Sequence, residues 1–151
     1  MKFHHSFDVQ APQEAVIRFH QDPMALERLT PPLLGLRWEL REPLAPGSRV
    51  RFSFGLGPLR IRWTARHEEV SPEGFVDEQE EGPFARWRHR HRFEAIGPDR
   101  TRIVDAIEAD LPASPLRRVV AWAIWLGLPL LFAYRAWQTR RALEGNAPCG
   151  R

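Results

Sequence analysis

The chain is poor in several residues that anchor particular kinds of chemistry. It has one cysteine, Cys149, close to the C-terminus. That excludes an internal disulfide framework and any cysteine-rich zinc site. Lys2 is the only lysine, and there is a single tyrosine. The opening residues, MKFHHSFDVQ, contain no apolar stretch of the secretory kind, so a cytoplasmic protein is expected. No internal repeat, low-complexity tract, glycine-rich phosphate loop, nucleophile elbow or helical His-x-x-x-His pair occurs. This silence favours binding over catalysis and leaves room only for dispersed catalytic residues.

What is present argues for a folded core. Hydrophobic residues make up 43% of the chain, including nine Phe and six Trp, which a disordered chain would lack. A length of 151 residues fits one domain, expected over 1–145, with a disordered tail at 146–151. The 22 cations exceed the 19 acids by only 3, a weak field. The one basic cluster is Arg86, Arg88, Arg90 and Arg92, alternating with Trp87, His89, His91 and Phe93. Alternation of this kind reads as a strand with one solvated face, and no nucleic-acid partner is expected.

Fourteen prolines punctuate the chain. Residues 2–10 read as a strand with Phe3, His5, Phe7 and Val9 on one side. A helix follows Pro12, with Ala15, Val16 and Phe19 as its apolar stripe. A second short helix starts at Asp22-Pro23, with Met24, Leu26 and Leu29 turned inward and Pro31-Pro32 ending it. Six strands are predicted at 36–42, 49–54, 60–70, 75–80, 85–95 and 101–111. Their short turns imply antiparallel pairing. One face of this sheet is polar, and the other needs a cover. The cover is a helix capped by Ser114, opened by Pro115 and running to about Glu144. The expected class is α+β, in the order β-α-α-β6-α: a curved antiparallel sheet of about seven strands gripping a long C-terminal helix.

That helix contains an unusual run. Residues 119–134 hold no charge, with Arg117-Arg118 before and Arg135 after. Sixteen residues fall short of the roughly 17–25 that span a bilayer. The run is apolar all round, which a surface helix should not be. Leu116, Val120, Ala123, Gly127, Leu131 and Tyr134 are expected to face the sheet. The excess, including Trp122, Trp125 and Phe132, points to a lid, a homodimer contact or a membrane-surface contact. Pro129 is expected to kink or break the helix near Trp125.

The inward strand faces mix Phe52, Phe54, Ile61, Trp63, Trp87, Phe93, Ile103 and Ile107 with Asp77, Gln79, His89, His91 and Asp105. Buried polar groups need partners or water. A mostly apolar pocket with a few convergent polar groups meets that need, as do Asp–His pairs that pin the sheet. The ligand-binding set is therefore Phe52, Phe54, Trp63, Asp77, Gln79, Trp87, His89, His91 and Asp105. His89, His91 and Asp77 are the candidates for acid–base work. Two His on one strand face plus a carboxylate could also suit Zn or Fe(II), but the spacing alone is a loose pattern, so no metal and no cofactor are assigned. His4, His5 and His20 are read as surface or edge residues, and His67 is given no role.

Several stretches, in order, resemble one superfamily. They include Phe7-Asp8-Val9 with Ala11-Pro12, Leu29-Thr30-Pro31-Pro32 and Trp63-Thr64-Ala65. Asp77-Glu78-Gln79 with Gly82-Pro83-Phe84, then Trp87-Arg88-His89-Arg90-His91-Arg92-Phe93, carry most of the likeness. Leu111-Pro112 and Phe132-Ala133-Tyr134-Arg135 complete it. This pattern resembles the SRPBCC superfamily, the START/Bet v 1-like helix-grip proteins, and within it a small bacterial, polyketide cyclase-like branch. The resemblance implies binding of a hydrophobic small molecule or lipid between sheet and C-terminal helix. The alternative it implies is a polyketide cyclase/dehydratase-like enzyme using His and Asp in the same cavity. No catalytic set carries over, and relatives tend to be apolar where His67 stands.

Overall fold

The computed structural model describes residues 1–22 and 24–145. The expectation for 146–151, Cys149 included, lies outside the described residues. The elements are β1 (Lys2–Val9), α1 (Gln13–Gln21), α2 (Ala25–Arg28), a 3₁₀ turn (Pro32–Leu34), β2 (Arg37–Arg41), β3 (Arg49–Leu56), β4 (Leu59–Ser71), β5 (Gly74–Glu81), β6 (Arg86–Gly97), β7 (Arg100–Asp110) and α3 (Pro115–Glu144). The strands form one antiparallel sheet in the order β1-β7-β6-β5-β4-β3-β2. This is the architecture expected from the alternation and the short turns.

Local chemistry explains the shape. A two-residue period puts each strand's apolar set on one face. Register shifts within β2, β4 and β6 bend the sheet, as an extra residue in one strand does. Gly74 (φ +149) opens β5 where a Cβ would meet the His91 carbonyl oxygen at 1.9 Å, so only glycine brings β5 this close to β6. The outer face is laced with ion pairs. Arg90 meets Glu69 at 2.7 Å, Arg49 meets Glu80 at 2.7 Å, and Arg88 bridges Glu69 and Glu78. The arginine-alternating strand is thus a solvated face with acids as neighbours.

The concave face and α3 enclose the core. Trp63, Phe84, Trp87, Ile107, Ala121, Leu128 and Phe132 form its main part. A second cluster under α1 contains Val9, Val16, Phe75, Phe93 and Ile103. α3 packs most closely on β1.

Four expectations for the helices need correction. Met24 is exposed and precedes α2; its amide donates to the Asp22 carboxylate at 2.9 Å. Ser114 stands at the start of α3 but its hydroxyl makes no cap bond; its carbonyl accepts from Arg118 instead. α3 runs unbroken through Pro129, which lies on the exposed side. The phase of α3 also differs from the expected one. Ala121, Leu128, Phe132, Ala136 and Thr139 are buried, with Ile124, Trp125 and Leu131 partly so. Leu116 is 76% exposed, and Ala123 and Gly127 are exposed as well. A helix that is apolar on every side carries no moment to fix its rotation.

Candidate functional site

Cross-strand register brings the polar inward residues together. His67, Asp77, His89 and Ile107 form one row across β4, β5, β6 and β7. The next row, two residues along, is Phe75, His91, Asp105 and His5, from β5 through β1. Side chains in adjacent rows on one sheet face can meet diagonally. Here they do.

The result is a continuous chain of charge-assisted contacts. His67 Nδ1 lies 2.6 Å from Asp77 Oδ1. Asp77 Oδ2 lies 3.0 Å from His91 Nε2. His91 Nδ1 lies 3.0 Å from Asp105 Oδ1, and His89 Nε2 reaches the same oxygen at 2.9 Å. The His89 and His91 rings overlap, with centroids 3.8 Å apart.

Protonation follows from this geometry. A ring with a carboxylate at each nitrogen must carry both protons, so His91 is an imidazolium. Burial opposes that charge, but hydrogen bonds to Asp105 and Asp77 outweigh it and raise the His91 pKa to about 9. Burial, with the His91 charge added, lowers the His89 pKa to about 4. His89 is therefore neutral at pH 7, donates from Nε2 to Asp105, and leaves Nδ1 bare. Burial alone would raise both carboxyls; the imidazole donors overcome it and hold Asp77 and Asp105 well below the usual carboxylate range.

More imidazoles surround this chain of contacts than the sequence reading placed there. His5 stands opposite Asp105, and its Nδ1 is shielded without a hydrogen-bond partner among the described residues. His20, at the end of α1, packs its ring on Phe93 at 4.6 Å and donates from Nδ1 to the Val16 carbonyl at 2.8 Å. Of the six histidines only His4 is fully turned away. Arg135 of α3 joins from above, its guanidinium 5.1 Å from the Phe132 ring and its charge acting on both carboxylates. The expectation that His5 and His20 are surface or edge residues is thus corrected, whereas the parity of β4 put His67 inward. Only the register shows what they face.

The apolar candidates form the other half of the face. Trp63 stacks on Phe52 at 6.5 Å and meets Trp87 edge-on at 5.2 Å. Trp87 continues to Trp125 of α3, and Phe3 links Trp125 to Phe132. Trp63 and Trp87 are buried, whereas Phe52 and Phe54 are only half-buried. So are Trp38, which pairs with Phe52, and Val50, although they share the concave face. The Trp38 indole nitrogen is shielded yet has no acceptor among the described residues. Gln79 stands apart from the network: its amide is engaged with the Phe84 backbone. A cavity of about 570 Å³ opens there, at the rim where Ile61, Gln79, Gly82, Phe84 and Arg117 meet. It lies at the first turn of α3, whereas aromatic rings fill the space under the middle of that helix.

Comparison with known proteins places this architecture. Residues 9–124 match the model of the family described as polyketide cyclase / dehydrase and lipid transport. No curated protein matches the chain. Among solved structures, the Zhui aromatase/cyclase from Streptomyces sp. R1128 superposes with a TM-score of 0.76 at 16% identity, over 100% of this chain and 99% of that one. Norcoclaurine synthase from Thalictrum flavum, in complex with dopamine and hydroxybenzaldehyde, gives 0.73 at 16% identity, over 97% and 88%. A START superfamily protein from Mycobacterium smegmatis gives 0.65 at 15% identity, over 97% and 99%. At these identities the likeness is one of fold.

Proposed function

Because the chain belongs to the polyketide cyclase/dehydrase and lipid transport family, we propose that it binds a hydrophobic small molecule or lipid between the β2–β4 half of the concave face and α3. One observation carries this reading. The inward residues Trp38, Val50, Phe52 and Phe54 are half-exposed, whereas Trp63 and Trp87 beside them on the same face are buried. Aromatic surface of that kind gains on contact with an apolar ligand, at roughly 25 cal/mol per Å² removed from water. The shielded Trp38 N–H would give a ligand acceptor its partner. Phe52, Phe54 and Trp63 contact the body of the ligand, Trp87 backs them, and the Asp77 end of the polar network meets its polar group.

Native mass spectrometry of protein purified from cells tests this directly. A retained small molecule or lipid is expected, displaced in Phe52→Ala and Phe54→Ala. Protein that carries nothing, and that binds neither a long-chain fatty acid nor a polycyclic aromatic ketone saturably, removes the reading. The second reading, acid–base catalysis of the cyclase/dehydratase kind, draws on His89, a neutral imidazole oriented by Asp105. It requires polyketone turnover that His89→Gln abolishes.

A further inference from the structure

We propose that Asp77, His89 and His91 form a binding site for a first-row transition-metal ion of the Zn²⁺ class. Each of the three brings one donor atom within 4.8 Å of the others. Two imidazoles and one carboxylate suit Zn²⁺ or Fe²⁺ and leave a position open. Asp77 is the most exposed member of the surrounding network, its side chain 23% accessible against 6% for His89 and 11% for His91. The open position therefore lies on the Asp77 side.

Three residues alone would be a loose pattern. The groups behind them make it specific. Metal-bound histidines almost always donate their other ring N–H to a carboxylate or carbonyl, which fixes the ring. Here a single oxygen, Asp105 Oδ1, accepts from His89 Nε2 at 2.9 Å and from His91 Nδ1 at 3.0 Å. Those contacts leave His89 Nδ1 and His91 Nε2 as the donors. His91 Nε2 already faces Asp77 Oδ2 at 3.0 Å. The second Asp77 oxygen is held by His67 Nδ1 at 2.6 Å, so the carboxylate is oriented from behind as well. All the side chains stand on paired strands, where backbone register holds their spacing. Once His91 gives up its second proton to the incoming ion, two carboxylates against Arg135 leave a net negative charge around neutral imidazoles, as a divalent cation requires. The ion displaces the proton between His91 and Asp77 and takes its place in the same network.

The test uses the full chain, freed of metal by a chelator and of lipid by extraction, with Co²⁺ as the probe. One Co²⁺ per chain is expected to bind, with visible d–d bands of a low-coordinate N/O site that Zn²⁺ bleaches. Asp77→Asn and His91→Gln lose the bands. His67→Gln, which touches no donor nitrogen, keeps them but weakens Co²⁺ binding about 10–100-fold. His4→Gln changes nothing. Circular dichroism confirms that each variant is folded. Failure of the wild-type protein to give saturable bands overturns the proposal. So do bands that persist in folded Asp77→Asn, or a His67→Gln affinity equal to wild type. The measurement contains no apolar ligand, so its outcome is independent of the ligand-binding reading.

Discussion

The side-chain amide of Gln79 pairs with both backbone polar groups of Phe84. Its Nε2 donates to the carbonyl at 2.9 Å, and its Oε1 accepts from the amide at 3.4 Å. Phe84 is among the most deeply buried residues of the core. Gly82 closes the turn between them, and a Cβ there would stand 2.3 Å from Gln79 Oε1. Gln79→Ala leaves two backbone groups beside the core without partners, at a cost of about 1–3 kcal/mol. Gly82→Ala pushes the same amide away and should cost a similar amount. Urea denaturation of both and of the double variant should therefore be strongly non-additive. Additive losses would show that Gly82 acts independently of the Gln79 clamp.

Asp105 and Asp77 each bridge two histidines, but they differ in depth: Asp105 is 8% accessible and Asp77 23%. Removing one partner of a buried ion pair costs about 3–5 kcal/mol, because the other charge stays buried. Asp105→Ala, measured by denaturation in the presence of a chelator, is expected in that range, and Asp77→Ala clearly below it. Either loss frees two rings, so depth is what separates the two variants. The reverse order of the two variants would mean that solvent reaches Asp105 as readily as Asp77.

The balance of legible and illegible features follows from how far each signal reaches along the chain. Strand alternation is local, so Asp77, His89, His91 and Asp105 were assignable to one face from sequence alone. The contacts His67–Asp77 and His5 opposite Asp105 depend on register between strands. In β4 that register shifts around Thr64/Ala65 and Glu68/Ser71, which no periodicity announces. The role of His67 stayed open in the sequence, and only the fold shows it bonded to Asp77. α3 illustrates the opposite failure. Its start at Pro115 and its extent to about Glu144 were legible. Its rotation was not, because Leu116, Ala121, Leu126 and Leu128 are equally apolar, and packing on the concave face chooses among them.

His20 sets part of the acid limit of stability. Burial lowers its pKa to about 4 from the ordinary 6.5, with Val16, His91, Asp105 and Arg135 as the surrounding groups. A native pKa below the unfolded one means that protons bind the unfolded chain more tightly. This cost is absent above about pH 6.5 and grows as the pH falls toward 4, by up to about 1.4 kcal/mol per pH unit and proton. His89 follows the same sign. His20→Gln should therefore lose stability at pH 7.5 but close the gap with the native sequence by pH 4.5. Parallel stability curves for the two proteins would show that the fold leaves the proton affinity of His20 unchanged.

The outward face of α3 suits an anionic lipid surface. Leu116, Leu126 and Leu130 are 76%, 73% and 78% exposed, and Val119, Trp122 and Trp137 continue the stripe. The helix is long and apolar enough to cross a bilayer by length and composition. Its other side, however, is committed to the core through Ala121, Leu128, Phe132 and Ala136. On a membrane, a helix so divided would lie along the interface with one face immersed. Charge selects the occupant. α3 carries Arg117, Arg118, Arg140 and Arg141 near its ends against the single acid Glu144, while Arg135 is turned to the polar network. Pairing two copies along this stripe, in either direction, sets arginines against arginines, whereas an anionic membrane gains about 1 kcal/mol per cation near its surface. Sedimentation with phosphatidylglycerol vesicles should therefore capture the protein, and phosphatidylcholine vesicles should capture far less. Leu126→Asp with Leu130→Asp should abolish binding, and Arg117→Gln with Arg118→Gln should weaken it about 10–30-fold, in keeping with two lost cations. A protein that ignores both vesicles, or one that forms dimers which Leu126→Asp splits, assigns this face to something other than lipid.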